Sequence, residues 1–234
     1  NARNHEYYSE DAVLTSGQAV AFISGGKEYG VIIAPKHLAF NDTEINRLGV
    51  SVFMTEQQAR ENELRGTQAS IEDAGALGIM TAFNRVGITA ANAHTGLLKN
   101  ILRGEWGFKG LESQDFIMNP NYAVLKEYAL NGGTMTTFTG ENTMAAVSEK
   151  FAYWTTENVG QDTELMSAIK QAMTWQAYAL ANSNALDGMA SSTRLVSVRT
   201  WYDNALVAVQ VVFAALTVLA AAMYVLNDRK SKKQ

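Results

Sequence analysis

The sequence predicts an α/β protein of parallel βαβ units followed by a membrane-crossing helix. Three observations carry the prediction. Short β-branched or apolar runs (Val31–Ala34, Leu77–Phe83, Leu111–Gln114, Thr134–Phe138) alternate with longer helix-like stretches, the pattern of parallel strands joined by helical crossovers. The first three runs hand the chain to a polar residue at their C-terminal ends: Lys36-His37, Asn84 and Asp115. Finally, Ala205 to Leu226 carries no charged side chain.

In chain order, Arg3 to Asp11 is polar and aromatic and reads as a loop, with Ser9 and its acidic followers as a helix start. Ala12 to Ile23 has helical apolar spacing and reaches a stop at Gly25-Gly26. Val31–Ala34 is the first buried strand and delivers Lys36 and His37 to its end. A short helix is expected over Asp42/Thr43 to Asn46. Thr55 with Gln58 has capping-box spacing and opens a helix that runs to about Ala74 and stops at Gly75. Leu77–Phe83 is the second strand, delivering Asn84, and Thr95 to Trp106 is a helix. Leu111–Gln114 is the third strand, delivering Asp115. Helices follow over Asn121–Leu130, about Thr143–Tyr153 and Thr163–Ser183, with Thr134–Phe138 as a fourth strand between the first two. Four strands do not close an eight-stranded barrel. Either the sheet is open and doubly wound, or it is half of a barrel.

The tail is the sharpest physical signal. Its 22 uncharged residues, Ala205 to Leu226, extend about 33 Å as a helix, enough for a hydrocarbon core of about 30 Å. Within it only Gln210 and Thr217 are clearly polar. Trp201 and Tyr202 precede it and Tyr224 lies near its end, as interfacial aromatics do, and Arg229, Lys230, Lys232 and Lys233 crowd the C-terminus. The positive-inside rule then sets a single-pass protein with a cytoplasmic C-terminus and the rest outside the cell membrane. The domain reading is an α/β part over 1–185, a juxtamembrane linker over 186–204, the span over 205–226 and a basic tail over 227–234.

Hydrophobic content of 47 % with 18 % charged residues fits a packed core and not a disordered chain. There is no cysteine, so disulfides and thiolate metal sites are excluded. The basic tail contributes +3 to a net charge of −4, leaving −7 on residues 1–226. So acidic a body offers no electrostatic footprint for nucleic acid. The chain begins at Asn1 without a Met or signal peptide although its tail is membrane-like, and a further part is therefore expected upstream.

A carboxylate where a β/α strand ends faces the open C-terminal side of the sheet, which makes Asp115 the first candidate for chemistry. On spacing alone, with Asn119-Pro120 close behind, a capping or turn aspartate is the simpler reading. Lys36-His37 can donate to substrate hydroxyls, or be a surface lysine beside a structurally bonded histidine. Arg3 can grip a hydroxyl or carboxylate through its fork, or be an exposed loop arginine. His5, His37 and His94 lack metal-site spacing, and neither a P-loop nor a G-x-S-x-G elbow occurs. No cofactor and no catalytic metal are expected.

What lifts these residues is a resemblance. Arg3-Asn4-x-Glu6-Tyr7-Tyr8-Ser9-Glu10-Asp11, Lys36-His37-Leu38-x-x-Asn41-Asp42-x-Glu44, Arg60-Glu61, Met80-Thr81-Ala82-Phe83-Asn84, Asn92 with Leu97-Leu98, Ile101-Leu102-Arg103-x-Glu105-Trp106-Gly107-Phe108-x-Gly110 and Asp115 follow one another in order. Together they resemble glycoside hydrolase family 3, whose pattern runs GRNFEYYSED, KHFxxNxxE, LRE, MTAYN, N…LL, ILRxEWGFxG, SDW. The match covers about residues 3–138.

The resemblance implies a partial (β/α)8 TIM-like barrel, its second half of about four βα units, ahead of the transmembrane helix. It also implies a retaining, β-glucosidase-like exo-glycosidase. Asp115 matches the nucleophile, Arg3, Lys36 and His37 match positions that hydrogen-bond the terminal sugar, and Phe116 stands as an aromatic platform where the family has Trp. The family's acid/base lies in a second domain, so here it is expected outside this chain, with an upstream half-barrel. Glu105 and Glu112 read as structural or solvated, and Glu141 is left unassigned. The expected partners are a β-linked oligosaccharide or glucoside and the lipid bilayer. Three departures stand out: Gln114 replaces Ser, Phe116 replaces Trp, and Phe83 replaces a Tyr whose hydroxyl would orient the nucleophile. The KH-x-PGHG variant of the family's N-acetylglucosaminidase branch is absent, which favours a glucosidase- or xylosidase-like substrate.

Overall fold

The computed structural model describes residues 3–47, 49–116, 124–137, 152, 154–189, 192–194, 196 and 198–232. They form two units, Asn1–Gly188 and Met189–Gln234.

In the first unit, helix α1 (Ala12–Glu28) opens at Asp11, whose side chain accepts from Leu14 N. Asp11 therefore caps in place of Ser9, whose hydroxyl accepts from Asp11 N. The helix runs through Gly25-Gly26 instead of stopping there. A Cβ on Gly26 would collide with Ile33 Cδ1, so this glycine admits a neighbour and does not end the helix. The stop comes at Gly30, at φ +71°.

Strand β1 is Lys36–Leu38, later than the Val31–Ala34 run. The ladder explains the shift: Met80 N donates to Pro35 O, Lys36 pairs with Met80, and Ala82 N donates to Leu38 O. Of the apolar run, Ile33 packs against Ile23, Ala74 and Ala76, while Val31 stays exposed. Lys36 and His37 thus lie in the strand and not beyond it. The expected helix over Asp42–Asn46 is a turn, because Asn46 adopts φ +53° and its carbonyl accepts from both Gly49 N and Val50 N.

Thr55 caps as expected, its hydroxyl accepting from Gln58 N. Behind it α2 (Glu56–Gln58) passes through a π-type turn, Ala59–Glu63, into α3 (Arg65–Glu72), ending before Gly75 at φ +63°. Strand β3 is Gly78–Thr81 and β6 is Leu111–Gln114, joined by a helix over Gly96–Glu105 of widened turns that stops before Gly107 at φ +61°. A second small sheet escaped the sequence reading: β2 (Ser51–Val52) beside a hairpin of β4 (Arg85–Val86) and β5 (Thr89–Ala90). Two-residue strands are too short to carry a period.

The main sheet is parallel in the order β1–β3–β6. Met135 adds a parallel bridge to Ser113, which is what the described residues retain of the expected fourth strand; Phe138 lies outside them. Spatial order therefore follows chain order, without the reversal of a doubly wound sheet. One face packs Ile79 with Leu98, Leu102, Trp106, Phe108 and Tyr128 into the core. Beyond β6 come α4 (Leu125–Leu130), α5 (Thr156–Gln161), which the sequence reading missed, and α6 (Thr163–Ala181). Residues 121–123 of the helix expected over Asn121–Leu130, and all but Ala152 of that expected over Thr143–Tyr153, lie outside the described residues.

The second unit contains α7 (Trp201–Ser231). Within its Trp201–Leu226 portion an 18-residue stretch has a mean hydropathy of 2.4 and no buried residue; the portion starts four residues before the charge-free run and ends with it at Leu226.

Candidate active site

Asp115 directly follows β6. Its N–H still donates to Thr81 O at 2.9 Å, so the sheet ladder holds its backbone. One carboxylate oxygen accepts from Phe116 N at 2.8 Å. The other lies 3.3 Å from His37 Nε2. The side chain is nearly enclosed, whereas the neighbouring Phe116 is 47 % exposed.

His37 is buried beside two cations. Burial first, then Arg3 and Lys36, push its pKa down to about 3, so the imidazole is neutral near pH 7. Arg3 Nη2 lies 3.2 Å from both ring nitrogens, so it does not choose the tautomer. The Asp115 carboxylate 3.3 Å from Nε2 can only accept when ionised, which puts the N–H of the neutral ring on Nε2, aimed at Asp115. The Lys36–His37 and Leu38–Ala39 peptide bonds are both cis.

Arg3 is not an exposed loop arginine. It is buried, with Nη2 3.0 Å from Glu6 and Nη1 3.0 Å from Glu44. Glu6 also accepts from Lys36 Nζ at 2.6 Å, which, ahead of Arg3, draws its pKa down. Arg47 pairs with Glu44 at 3.0 Å and lies 4.5 Å over the Phe83 ring. Asp115 thus reaches, through His37, the middle of a chain of alternating charges: Lys36, Glu6, Arg3, Glu44, Arg47. Sequence reading found the cations and the nucleophile candidate but missed the part of Glu6, Glu44 and Arg47. A signal for the acids was available, since an arginine fixed at a site needs carboxylates to hold its fork.

Lys36 and Arg3 act to lower the pKa of Asp115, against a larger opposing effect. Burial is the largest effect and raises it; the Phe116 N–H, Arg47, Arg3 and Lys36 oppose burial without reversing it. A cavity of about 530 Å³ opens against Arg3, Tyr7, Tyr8, His37 and Asp42. It reaches His37, while the Asp115 carboxylate is not in its wall.

The other carboxylates are accounted for separately. Glu105 is held by Arg60 through two contacts, 2.6 and 3.0 Å. Glu112 is fully buried, three residues before Asp115 and so on the opposite face of the sheet. Glu141 lies outside the described residues. Among the described residues no cluster of three His, Cys, Asp or Glu could hold a metal ion.

The family profile of the Glycosyl hydrolase family 3 N terminal domain matches residues 1–152. The chain belongs to glycosyl hydrolase family 3. It is 40 % identical over 114 residues to the probable beta-glucosidase J of Emericella nidulans, a match that covers 49 % of this chain and 13 % of that protein. In structure it is similar to a β-glucosidase from Paenibacillus barengoltzii, at TM-score 0.71 and 26 % identity over 84 % of this chain and 22 % of that one. It is also similar to beta-glucosidase 3B from Thermotoga neapolitana in complex with glucose, at TM-score 0.66 and 26 % identity over 78 % and 25 %. The family 3 chain therefore spans between about an eighth and a quarter of the proteins it matches. Of its departures, Gln114 has a structural use, its Oε1 accepting from Asn92 Nδ2 at 2.8 Å within the core. Phe83 is buried under Arg47.

Proposed function

We propose that this family 3 chain is part of a membrane-anchored, retaining exo-β-glycosidase, β-glucosidase-like in its substrate, with Asp115 as nucleophile. The observation that carries the reading is the setting of Asp115: a carboxylate at a strand end, fixed by a backbone N–H and facing a neutral imidazole beside Arg3. A retaining glycosidase needs a carboxylate to attack the anomeric carbon and a second, about 5–5.5 Å away, to protonate the leaving oxygen and then activate water. Asp115 has the first role. Arg47, Arg3 and Lys36 favour its charged form against burial. The His37 N–H orients the attacking oxygen. Lys36 and Arg3 bind sugar hydroxyls, and the exposed Phe116 ring offers an apolar sugar face a platform.

The acid/base belongs to a second domain outside this stretch, and the β1–β3–β6 arc with its Met135 bridge is the second half of a barrel whose first half lies upstream. The Trp201–Leu226 helix anchors the protein in the cell membrane, with the basic tail cytoplasmic and the catalytic part outside. One observation favours a second reading, a degenerate sugar-binding protein. Phe83 supplies no hydroxyl to the nucleophile, and Arg47 covers its ring.

The test is hydrolysis of aryl β-glucoside and β-xyloside by the intact protein and its Asp115→Asn variant. A loss of several orders of magnitude in the variant is the expected outcome, because the covalent step has no substitute. Sugar binding without turnover in both proteins supports the degenerate reading. Undiminished turnover in the variant moves the nucleophile to another residue.

A further inference from the structure

We propose that α7 pairs in the membrane with α7 of a second copy of this chain, through a face centred on Gln210. The inference rests on the membrane-span reading above. Gln210 is the tenth residue of the Trp201–Leu226 span, roughly 14 Å along its axis and so well inside a hydrocarbon core. Its amide has no hydrogen-bond partner among the described residues, whereas the hydroxyl of Thr217, the other polar side chain of the inner span, donates to Phe213 O at 2.8 Å. An unpaired amide in lipid seeks a partner, because neither water nor the acyl chains supply one.

The spacing places that partner. Asp203, Gln210, Thr217 and Tyr224 recur every seven residues, and Val207, Ala214, Ala221 and Asp228 repeat four residues further on. This is the two-position seam along which helices wind in left-handed pairs. Ala214 and Ala221 keep the seam low, so that a second backbone can approach. Leu216, Leu219, Met223 and Leu226 project from the opposite side. The two seam carboxylates lie at the ends of the helix and are locally engaged. Asp203 accepts from Thr200 N and Oγ1 at 2.8 and 2.7 Å, and Asp228 pairs with Lys232 at 2.8 Å.

The occupant follows from the chemistry of an amide. A glutamine side chain has both a donor and an acceptor, so two copies related by a two-fold axis along the membrane normal satisfy each other, Nε2–H to Oε1 in both directions. Both C-termini then face the same side, as one topology for all copies requires.

The chain has no cysteine, so single cysteines can be introduced without background. Val207→Cys, Ala214→Cys, Ala221→Cys, Leu216→Cys and Leu219→Cys variants of the full chain are reconstituted in phosphatidylcholine vesicles at high lipid excess, floated, and oxidised. Disulfide dimers are expected from 207, 214 and 221 and not from 216 or 219. Adding Gln210→Leu to Ala214→Cys should cut the cross-linked fraction roughly three- to tenfold, while Gln210→Asn, which keeps an amide, should retain most of it. Failure to float with the vesicles would overturn the span and the pairing together. Flotation with no cross-linking, with cross-linking at 216 and 219, or with indifference to Gln210→Leu would overturn the pairing and leave the span standing.

Discussion

Glu112→Gln should raise stability at neutral pH and change little in acid. Glu112 is fully enclosed, and neither carboxyl oxygen has a hydrogen-bond partner. The Tyr128 hydroxyl beside it is directed to the carbonyls of Glu112 and Met135, at 3.0 and 2.8 Å. Arg103 is near, but its donors go to the carbonyls of Gly132, Phe108 and Gly110. Burial therefore dominates and lifts the carboxyl from an ordinary 4.5 to about 7. The sign follows by linkage. Between pH 4.5 and 7 the folded chain keeps a proton that the unfolded chain has released, so stability is full below 4.5 and falls as pH rises through 7. At about 1.4 kcal/mol per pH unit the loss comes to about 3–4 kcal/mol, roughly 7–14 °C in Tm for a unit of this size. Glutamine has the same shape and no such titration. The assay is thermal or urea unfolding of the full chain and its Glu112→Gln variant in one mild detergent from pH 4 to 8. The difference between the two should be near zero at pH 4.5 and grow to its plateau above pH 7. Parallel profiles would refute the reasoning, because they would mean that Glu112 does not titrate within the folded window.

Three further outcomes are expected. His37 is held neutral with its pKa down to about 3; its contribution is present above pH 6.5 and lost as pH falls toward 3, so His37→Gln should flatten the acid limb of the same unfolding profile. Arg103→Lys should cost about 2–4 kcal/mol, read as a drop of roughly 5–12 °C in Tm, because lysine cannot serve the carbonyls of Phe108, Gly110 and Gly132 together or stack on Trp175, 3.8 Å away. Phe83→Tyr, if the glycosidase reading holds, should raise turnover on aryl β-glucoside in steady-state kinetics by returning a hydroxyl to the nucleophile.

Much of this was legible in the sequence, and what was not has physical reasons. β3 and β6 fell on the runs that mark them, and the helix between them stops before the left-handed Gly107. β1 was displaced because an apolar run does not mark ladder membership: of Val31–Ala34 it is Ile33 that packs against Ile23 of α1, while the strand itself is Lys36–Leu38. Gly25-Gly26 misled for a similar reason, as the sequence does not tell a glycine that ends a helix from one that admits Ile33. At the site, the motifs named Arg3, Lys36, His37 and Asp115. Of the acids that hold the cations, Glu6 stands only three residues from Arg3, whereas Glu44 meets it from 41 residues away, a pairing that no local spacing encodes.

Glu112 and Asp115 draw these strands together. They are two carboxyls three residues apart on one chain segment, and the pleat sends them to opposite faces of the sheet. On the helix-packed face, Glu112 meets Tyr128 and an Arg103 already engaged, and the desolvated acid keeps its proton to about pH 7. On the other side, Asp115 is also desolvated, but a backbone N–H and the charges of Arg47, Arg3 and Lys36 work against that burial. Exchange of environments, not of residue type, separates a structural acid from a candidate nucleophile. A variant that frees Arg3 by removing its carboxylate partners, such as Glu6→Gln with Glu44→Gln, should therefore act on Asp115 without touching it. The released positive charge would lower its pKa and move the acid limb of the kcat/KM profile to lower pH, whereas a merely structural role for the two glutamates would change stability and leave that limb in place.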